Sequence, residues 1–176
     1  MTVQRRRSIR LKGYDYSKAG AYFVTVVTQG RLPLFGEVVE GEMRLNPFGD
    51  IVREEWKRTA SVRPDVELGA YMVMPTHFHG ILIFHQDGVY TVGATRRVAP
   101  TARTLQSGSL GAIMGQFKSL VTKRINVLRG MPGAPIWQRN FYEHIIRNQQ
   151  DLELTWRYVE SNPAQWATDN ENPAKH

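Results

Sequence analysis

The pattern of apolar and polar residues predicts strands over several parts of the chain. The stretch AYFVTVVTQG, from Ala21 to Gly30, is β-branched and aromatic and predicts a strand. GEVVEGEMRLN predicts a hairpin that turns at Glu40 and Gly41. Two further strands are predicted at 67–74 and 77–84, and a short strand-like run extends from Pro135 to about Ile146.

Helical periodicity marks three other segments. The first runs from Asn46 to about Ser61 and begins with Asn-Pro, which is typical of a capped helix start. The second begins at Leu110 and keeps apolar residues at i, i+3, i+4 and i+7 as far as Leu128, which predicts a long amphipathic helix. The third begins at Asn148, with Asp151 three residues later, and ends near Asn162, because a proline follows.

The order of these elements predicts an α+β fold, in which helices pack on an antiparallel sheet in a layout close to the ferredoxin-like folds. A chain of 176 residues with 41% hydrophobic content fits a single domain, residues 1–176. Within it we distinguish a basic N-terminal arm at 1–13 and a loop at 86–109, rich in Gly, Ser, Thr and Arg, which we expect to be mobile. A polar tail follows at 167–176.

Composition narrows the class of protein. Lys and Arg number 23 against 16 Asp and Glu, and the resulting charge of +7 favours a polyanionic partner, nucleic acid first. A solvated positive surface without a partner is the alternative. The absence of cysteine excludes disulfides, thiolate metal sites and cysteine nucleophiles. No secretory signal and no apolar run of ~20 residues is present, so we expect a soluble, cytoplasmic protein without membrane contact.

Two histidines open the predicted strand at 77–84. Side chains alternate along a strand, so His77 and His79 lie on one face and Phe78 on the other. Such a pair is suited to bind one metal ion, because imidazole is the commonest metal ligand. The alternative is two partly buried histidines that bond to the backbone. A metal also needs a third protein ligand, which this spacing does not identify.

The last predicted helix carries a second group of polar residues. Its apolar stripe, expected to face the core, consists of Leu152, Trp156 and Val159. On the flank, Tyr158 and Asn162 lie one turn apart, together with Asp151 and Thr155. A tyrosine hydroxyl can attack phosphorus or carbon, and an amide oxygen can ligate a divalent ion. Alternatively, Tyr158 covers the core edge with its hydroxyl in water.

Three motifs occur in this order along the chain: MPTHFHGILIF, IWQRNFYEHIIRN and RYVESNP. They follow the N-terminal stretch IRLKGYDYSKAGAYFVTVVTQGR. As a set they resemble the REP-associated tyrosine transposases, a branch of the single-tyrosine HUH transposases. The resemblance extends from about Arg7 to Trp166 and implies the HUH nuclease layout. His77 and His79 match the family's metal-binding pair. Tyr158 matches the nucleophile of its Tyr-x-x-x-Asn-Pro segment, and Asn162 the polar residue that completes metal binding.

The resemblance also implies an activity. Such an enzyme is a metal-dependent, transposase-like endonuclease and strand transferase that cuts single-stranded DNA at palindromic, REP-like hairpins through a 5′-phosphotyrosyl intermediate. Its cofactor would be a divalent cation, Mg²⁺ or Mn²⁺, on His77, His79 and Asn162, and no nucleotide is needed. Whether the protein acts as a monomer or a homodimer, and which base takes the tyrosine proton, are left open by the sequence.

Basic and aromatic side chains elsewhere are candidates for DNA contacts through phosphates and unpaired bases. We predict this role for Arg5, Arg6, Arg7, Arg10, Lys12, Lys118, Lys123, Arg124, Trp137, Arg139 and Arg147. Three arginines of the loop can also contact phosphates, namely Arg96, Arg97 and Arg103, and Phe141 is a second candidate for base stacking. Surface charge or a place in the core is the alternative for each.

Three other functions fit parts of the sequence. A replication initiator or relaxase-type nickase shares the histidine pair and the tyrosine. A nucleic-acid-binding module on an RRM-like sheet would need the fold without the chemistry, although His77, His79, Tyr158 and Asn162 occur together here. A histidine-based metal hydrolase without a covalent intermediate would not need Tyr158.

Overall fold

The computed structural model describes residues 20–85 and 108–175. The basic arm at 1–13 and all but the last two residues of the loop at 86–109 lie outside these ranges. The DNA contacts predicted for them therefore stay predictions: Arg5, Arg6, Arg7, Arg10, Lys12, Arg96, Arg97 and Arg103.

The described residues form an α+β fold, as predicted. In chain order the strands and α-helices are β1 (Gly20–Val27), β2 (Gly36–Val39), β3 (Glu42–Leu45), α1 (Pro47–Ser61), β4 (Val66–Val73), β5 (His77–Phe84), α2 (Leu110–Leu128), β6 (Tyr142–Ile146) and α3 (Gln149–Ser161). Short 3₁₀ turns lie at Gln29–Arg31, Pro163–Thr168 and Pro173–Lys175. Among these described helices none is long and apolar enough to cross a membrane.

Four strands form one antiparallel sheet in the order β4-β5-β1-β6. Strands β1 and β4 both pair with β5, which lies between them, and helix α1 connects them. This is the split β-α-β arrangement of ferredoxin-like folds. Strands β2 and β3 form a separate hairpin, which turns at Glu40 and Gly41 as predicted. Both of these residues have positive φ angles, 53° and 80°, the conformation required by the commonest hairpin turns.

One face of the sheet packs on α1 and α2. The indole of Trp56 in α1 lies with its centroid 4.6 Å from the ring of Phe78 in β5 and 5.3 Å from that of Phe117 in α2. All three side chains are buried. Strand β1 adds Tyr22 and Val24 to the same cluster. Because β5 presents Phe78 to this face, His77 and His79 lie on the opposite one.

Helix α3 covers that opposite face. A second, smaller apolar cluster joins β1, β4, β5, β6 and α3 through Phe23, Ala70, Ile81, Ile146 and Val159. The sheet is thus a central layer between two helical layers. The tyrosine on α3 and the histidine pair on β5 are consequently brought to the same side of the sheet.

Asparagine caps fix the starts of α1 and α3 where the sequence predicts them. The side-chain oxygen of Asn46 accepts hydrogen bonds from the backbone N–H groups of Phe48 and Gly49. Asn148 accepts one from Asp151 in the same way. These bonds satisfy amides that have no partner within the helix.

Some predictions about the elements are wrong. The run from Pro135 to Ile146 is a strand only from Tyr142 onward; before that, Trp137 makes an isolated bridge with Thr28. In the predicted apolar stripes, Leu128 and Trp156 are exposed, at 58% and 36%. Leu128 is the last residue of α2.

Close packing at Gly80 in β5 yields a stability prediction. A Cβ at this position would lie 2.4 Å from a ring carbon of Trp56, which cannot yield within a packed core. We expect Gly80→Ala to lower the free energy of unfolding by about 1–3 kcal/mol in urea denaturation. Gly115→Ala is the matched control, because nothing lies within 4 Å of its added Cβ and alanine favours the helix by about 0.5–1 kcal/mol. A fully stable Gly80→Ala protein would contradict the described packing.

Candidate active site

The histidine pair is buried at the start of β5. His77 and His79 are 0% and 3% exposed, and their ring centroids lie 4.4 Å apart. Strand alternation, as predicted, places them side by side. The ring of His79 also stacks on Phe23 of β1 at 5.4 Å. The two imidazoles therefore form a rigid pair beneath α3.

Threonines fix the orientation of both rings. The hydroxyl of Thr76 donates to the carbonyl oxygen of Glu171, so towards Nδ1 of His77, 3.2 Å away, it can only accept. The proton of His77 is therefore on Nδ1. Nδ1 of His79 lies 2.8 Å from the hydroxyl of Thr25. In both rings Nε2 is the nitrogen left for another partner, and an outer partner of this kind orients a metal-binding histidine.

Burial keeps both imidazoles neutral. It lowers the pKa of His79 well below 6.5, and the charge of a protonated His77 would lower it further. Burial also lowers the pKa of His77, against the opposing effects of Asp169, Glu171 and Asn162. Neutral imidazole is the form that binds metals. No proton has to be removed from these rings at neutral pH before they can act as ligands.

Two side chains with oxygen atoms that could ligate a metal lie beside the pair. Asn162, at the C-terminus of α3, is 1% exposed, and its amide nitrogen donates to the carboxylate of Asp169 at 3.1 Å. One ligand atom each of His77, His79 and Asp169 lie within 4.8 Å of one another. Sequence analysis predicted Asn162 at this site and missed Asp169.

Unpaired buried atoms test whether these residues suit a cation. Among the described residues, Nε2 of His77, Nε2 of His79 and Oδ1 of Asn162 are fully buried and have no hydrogen-bond partner. A buried polar atom without a partner costs free energy, about 1–3 kcal/mol each. A divalent cation would engage all three, and the carboxylate of Asp169 would supply negative charge. Two imidazoles with amide and carboxylate oxygens therefore fit such an ion.

Tyr158 lies over this group. Its ring centroid is 5.3 Å from that of His79 and 6.0 Å from that of Phe23, and 43% of the residue is exposed. Burial raises the pKa of the phenol, as do the charges of Asp169 and Glu171. The phenol is therefore protonated at neutral pH. Tyrosine and histidines belong to the same chain, so their meeting needs no second copy of the protein.

A cavity of about 1460 Å³ opens beside the tyrosine. His79, Tyr158 and Asn162 line it, together with the acidic Asp169 and Glu171. The cavity thus gives a substrate access to Tyr158 and extends to the edge of the candidate ligand group, whose ligand atoms named above are themselves buried. The acidic residues would repel a phosphate unless a cation offset their charge.

The segment at 167–175, assigned from its composition to a polar tail, packs against the site. Glu171 pairs with Arg31 at 2.6 Å, and its backbone accepts from Thr76. Asp169 accepts from the backbone N–H of Glu171 and from Asn162. These bonds hold the segment beside the histidines. Its polar composition gave no signal of this packing.

The predicted DNA-contact residues within the described ranges differ in exposure and in their partners. Lys123, Arg139 and Arg147 are exposed, so for them the prediction stands untested. Trp137 is 6% exposed and packs on Phe35 and Phe117, which corrects the prediction that its ring stacks on a base.

Two basic residues have partners within the protein. The guanidinium of Arg124 bonds Glu54 and Glu55 at 2.7 and 2.8 Å. The ammonium of Lys118 donates to the carbonyl oxygens of Gln138 and Arg139, and burial lowers its pKa to about 8. Both side chains therefore have contacts within the protein, and their predicted phosphate contacts stay predictions.

The sequence was compared with known families and proteins, and it is similar to two proteins of one organism. No family model matches the sequence. The chain is 32% identical over 169 residues to an uncharacterized protein of Haemophilus influenzae, covering 95% of this chain and 93% of that protein. It is 28% identical over 150 residues to a protein of the same organism described as a putative REP-associated tyrosine transposase, covering 85% of this chain and 73% of that protein.

A solved structure shares the fold. It is a REP-associated tyrosine transposase bound to a REP hairpin, and it matches with a TM-score of 0.51 and 23% sequence identity. The match covers 94% of this chain and 74% of that chain. The α+β architecture described above is thus that of a known DNA-bound protein.

Proposed function

The chain belongs to the family of REP-associated tyrosine transposases, and from this relationship we propose that it cuts and rejoins single-stranded DNA beside palindromic hairpins. The nucleophile in this proposal is Tyr158. His77, His79, Asn162 and Asp169 hold a divalent cation, Mg²⁺ or Mn²⁺. Nucleotide cofactors have no part in the reaction.

One observation carries the proposal: a tyrosine ring lies 5.3 Å from a buried histidine whose outward nitrogen has no partner among the described residues. A protein that only bound nucleic acid would have no use for unpaired imidazoles beneath a phenol. A hydrolase without a covalent intermediate would have no use for the phenol. Their combination supports a metal-assisted tyrosine nucleophile.

The cation would supply Lewis-acid polarisation of the scissile phosphate and would offset the charge on its oxygens. Nε2 of His77 and of His79 would be its nitrogen ligands. Asn162 would contribute its amide oxygen, and Asp169 its carboxylate. The sequence predicts three of these residues. Asp169 is the addition that the geometry supports.

Tyr158 supplies the bond-forming atom. Its phenolic oxygen attacks phosphorus, a phosphotyrosyl bond to the 5′ side forms, and the bond from phosphorus to the 3′ oxygen breaks. The proton lost by the phenol is balanced by the proton that the departing 3′ oxygen gains. Since the pKa of Tyr158 is raised, the phenol enters the reaction protonated. Transfer of that proton during attack is therefore part of the barrier.

The phosphotyrosyl bond retains the energy of the cut phosphodiester. A 3′-hydroxyl of another strand can attack it, release the tyrosine and join the DNA without ATP. The related solved structure is described with a REP hairpin bound. On this ground we propose a hairpin with an unpaired flank as the substrate.

Incubation with labelled DNA tests this function. We expect the protein, supplied with Mn²⁺, to convert a hairpin oligonucleotide with single-stranded flanks into a protein-linked fragment and a fragment with a 3′-hydroxyl, resolved by denaturing gel electrophoresis. A fully paired duplex of the same composition is the control and should stay intact. Binding of the hairpin without any cut product, at any divalent cation, would favour the non-catalytic binding module.

A further inference from the structure

A second groove runs along α2, away from the histidines. Its volume is about 720 Å³, within the ~300–1,000 Å³ typical of ligand sites. One wall is the second half of α2, from Ser119 to Val127. The other is the segment at 130–139, which returns toward the sheet. The candidate ligands and Tyr158 do not line this groove.

Hydrogen bonds hold its walls in place. The amide of Asn126 on α2 donates to the carbonyl oxygen of Ala134 across the groove at 2.9 Å. At the other end the backbone of Gln138 donates to Val27 of β1 at 2.9 Å. Lys118 bonds the carbonyl oxygens of Gln138 and Arg139. A concave site with fixed walls binds a ligand at low ordering cost.

The charge of the groove has one sign. Its lining includes Lys118, Lys123 and Arg139 and no acidic residue. Within the described ranges, Lys123 and Arg139 are exposed and form no ion pair. The active-site cavity, in contrast, contains Asp169 and Glu171. The groove is therefore the part of this surface best suited to a polyanion.

Apolar surface lies between those cations. Val127 is 77% exposed on one wall, and Pro132 and Pro135 are exposed on the other. Cations along an apolar groove suit an unpaired strand, whose phosphates and base faces are both accessible. A duplex keeps its bases stacked inside and would offer this groove only phosphates. The chemistry thus favours single-stranded over paired DNA.

The groove adjoins the active-site cavity. Lys118, Gln138 and Arg139 line both. We infer that the groove between α2 and the segment at 130–139 binds the unpaired strand that flanks the scissile phosphate, so that one DNA strand runs from Tyr158 along α2. The inference rests on the proposed function and adds to it the surface that binds the unpaired flank of the DNA.

Binding by a Tyr158→Phe protein, which cannot turn over, tests the inference. The probes are a fluorescent hairpin with an unpaired flank, on the 5′ or the 3′ side, and the same hairpin without a flank. In this background we expect Val127→Glu to weaken binding of one flanked hairpin by about tenfold, because it removes an apolar contact and places a carboxylate beside the phosphates, and to leave the bare hairpin unchanged. Leu128→Glu is the matched control, because Leu128 is exposed on the same helix but does not line the groove.

The paired substitution Lys123→Gln, Arg139→Gln removes two cations without adding a charge. It should reduce the slope of log affinity against log salt by about 1.4 for the flanked hairpin, at ~0.7 per phosphate contact on a single strand. Lys57→Gln, on the exposed face of α1 outside both cavities, should leave the slope unchanged. If circular dichroism shows that Val127→Glu does not fold, this paired substitution tests the inference in its place.

The outcomes separate the two proposals. If the protein with Tyr158 cuts hairpin DNA but the groove variants bind both probes like their parent, the groove does not hold the flank. Equal losses on flanked and bare hairpins would also overturn the inference, because they would place the paired stem in the groove. If no cutting occurs while the flanked probe depends on Val127, the binding surface stands and the proposed chemistry is wrong.

Discussion

We expect Tyr158→Phe to form no detectable covalent adduct with hairpin DNA and yet to bind it like the unaltered protein. The substitution removes one hydroxyl and keeps the aromatic ring. The ring contacts Phe23 and His79, which also line the cavity. Affinity should therefore be preserved within about twofold, because no apolar surface is lost. Adduct formation is measured with labelled DNA on denaturing gels, and the linked peptide is identified by mass spectrometry after digestion.

Tyr142→Phe is the matched control. Tyr142 lines the same cavity, is 46% exposed, and its ring centroid lies 6.3 Å from that of Phe23. It lies at the start of β6, however, and the candidate ligand Asn162 lies on the same helix as Tyr158, one turn further on. We expect Tyr142→Phe to form the adduct. A nucleotide found on the Tyr142 peptide would reverse the assignment and remove the reason for pairing Tyr158 with Asn162.

The parts of the site that follow from local rules could be predicted from the sequence. Alternation along a strand places His77 and His79 on one face, and helical periodicity places Tyr158 and Asn162 one turn apart. The caps at Asn46 and Asn148 also depend only on neighbouring residues. For these features the chain carries the signal within about four positions. No knowledge of tertiary packing was needed.

Partners distant in sequence could not be predicted. Asp169 lies beside the histidines in a segment that Glu171 connects to Arg31, 140 residues away, and to Thr76, 95 residues away. The guanidinium of Arg124 bonds Glu54 and Glu55, about 70 residues earlier. A cluster of basic residues has the same appearance in sequence whether its charges face DNA or carboxylates of the protein itself.

The burial of Trp137 illustrates a related ambiguity. A tryptophan beside polar residues suits either base stacking or a core, and only the packing of Phe35 and Phe117 around it decides. The location of α3 on the opposite face from α1 and α2 is also a tertiary property. It is this layer that brings Tyr158 to the histidines, so the site exists only once the sheet has formed.

Metal binding should raise the stability of the protein, and removal of the histidines should abolish the effect. A ligand that binds only the folded state at 100 times its Kd adds about 2.7 kcal/mol, which for a chain of this size corresponds to a Tm higher by ~5–10 °C. We therefore expect Mn²⁺ to raise the Tm of the unaltered protein. EDTA should reverse the shift and also stop DNA cutting.

The double variant His77→Ala, His79→Ala should show neither the shift nor any cutting, because both nitrogen ligands are gone. His85→Ala is the matched control, since His85 lies one residue beyond β5, exposed and paired with Glu67.

Asp169→Asn keeps the shape and removes the charge, so it should weaken Mn²⁺ binding measured by calorimetry by about 10–100-fold, the range found for groups that support a metal site. An Asp169→Asn protein that binds Mn²⁺ unchanged would leave Asn162 as the sole oxygen ligand. A double-histidine variant that still responds to Mn²⁺ in the same way would disprove the assignment of His77 and His79 as metal ligands.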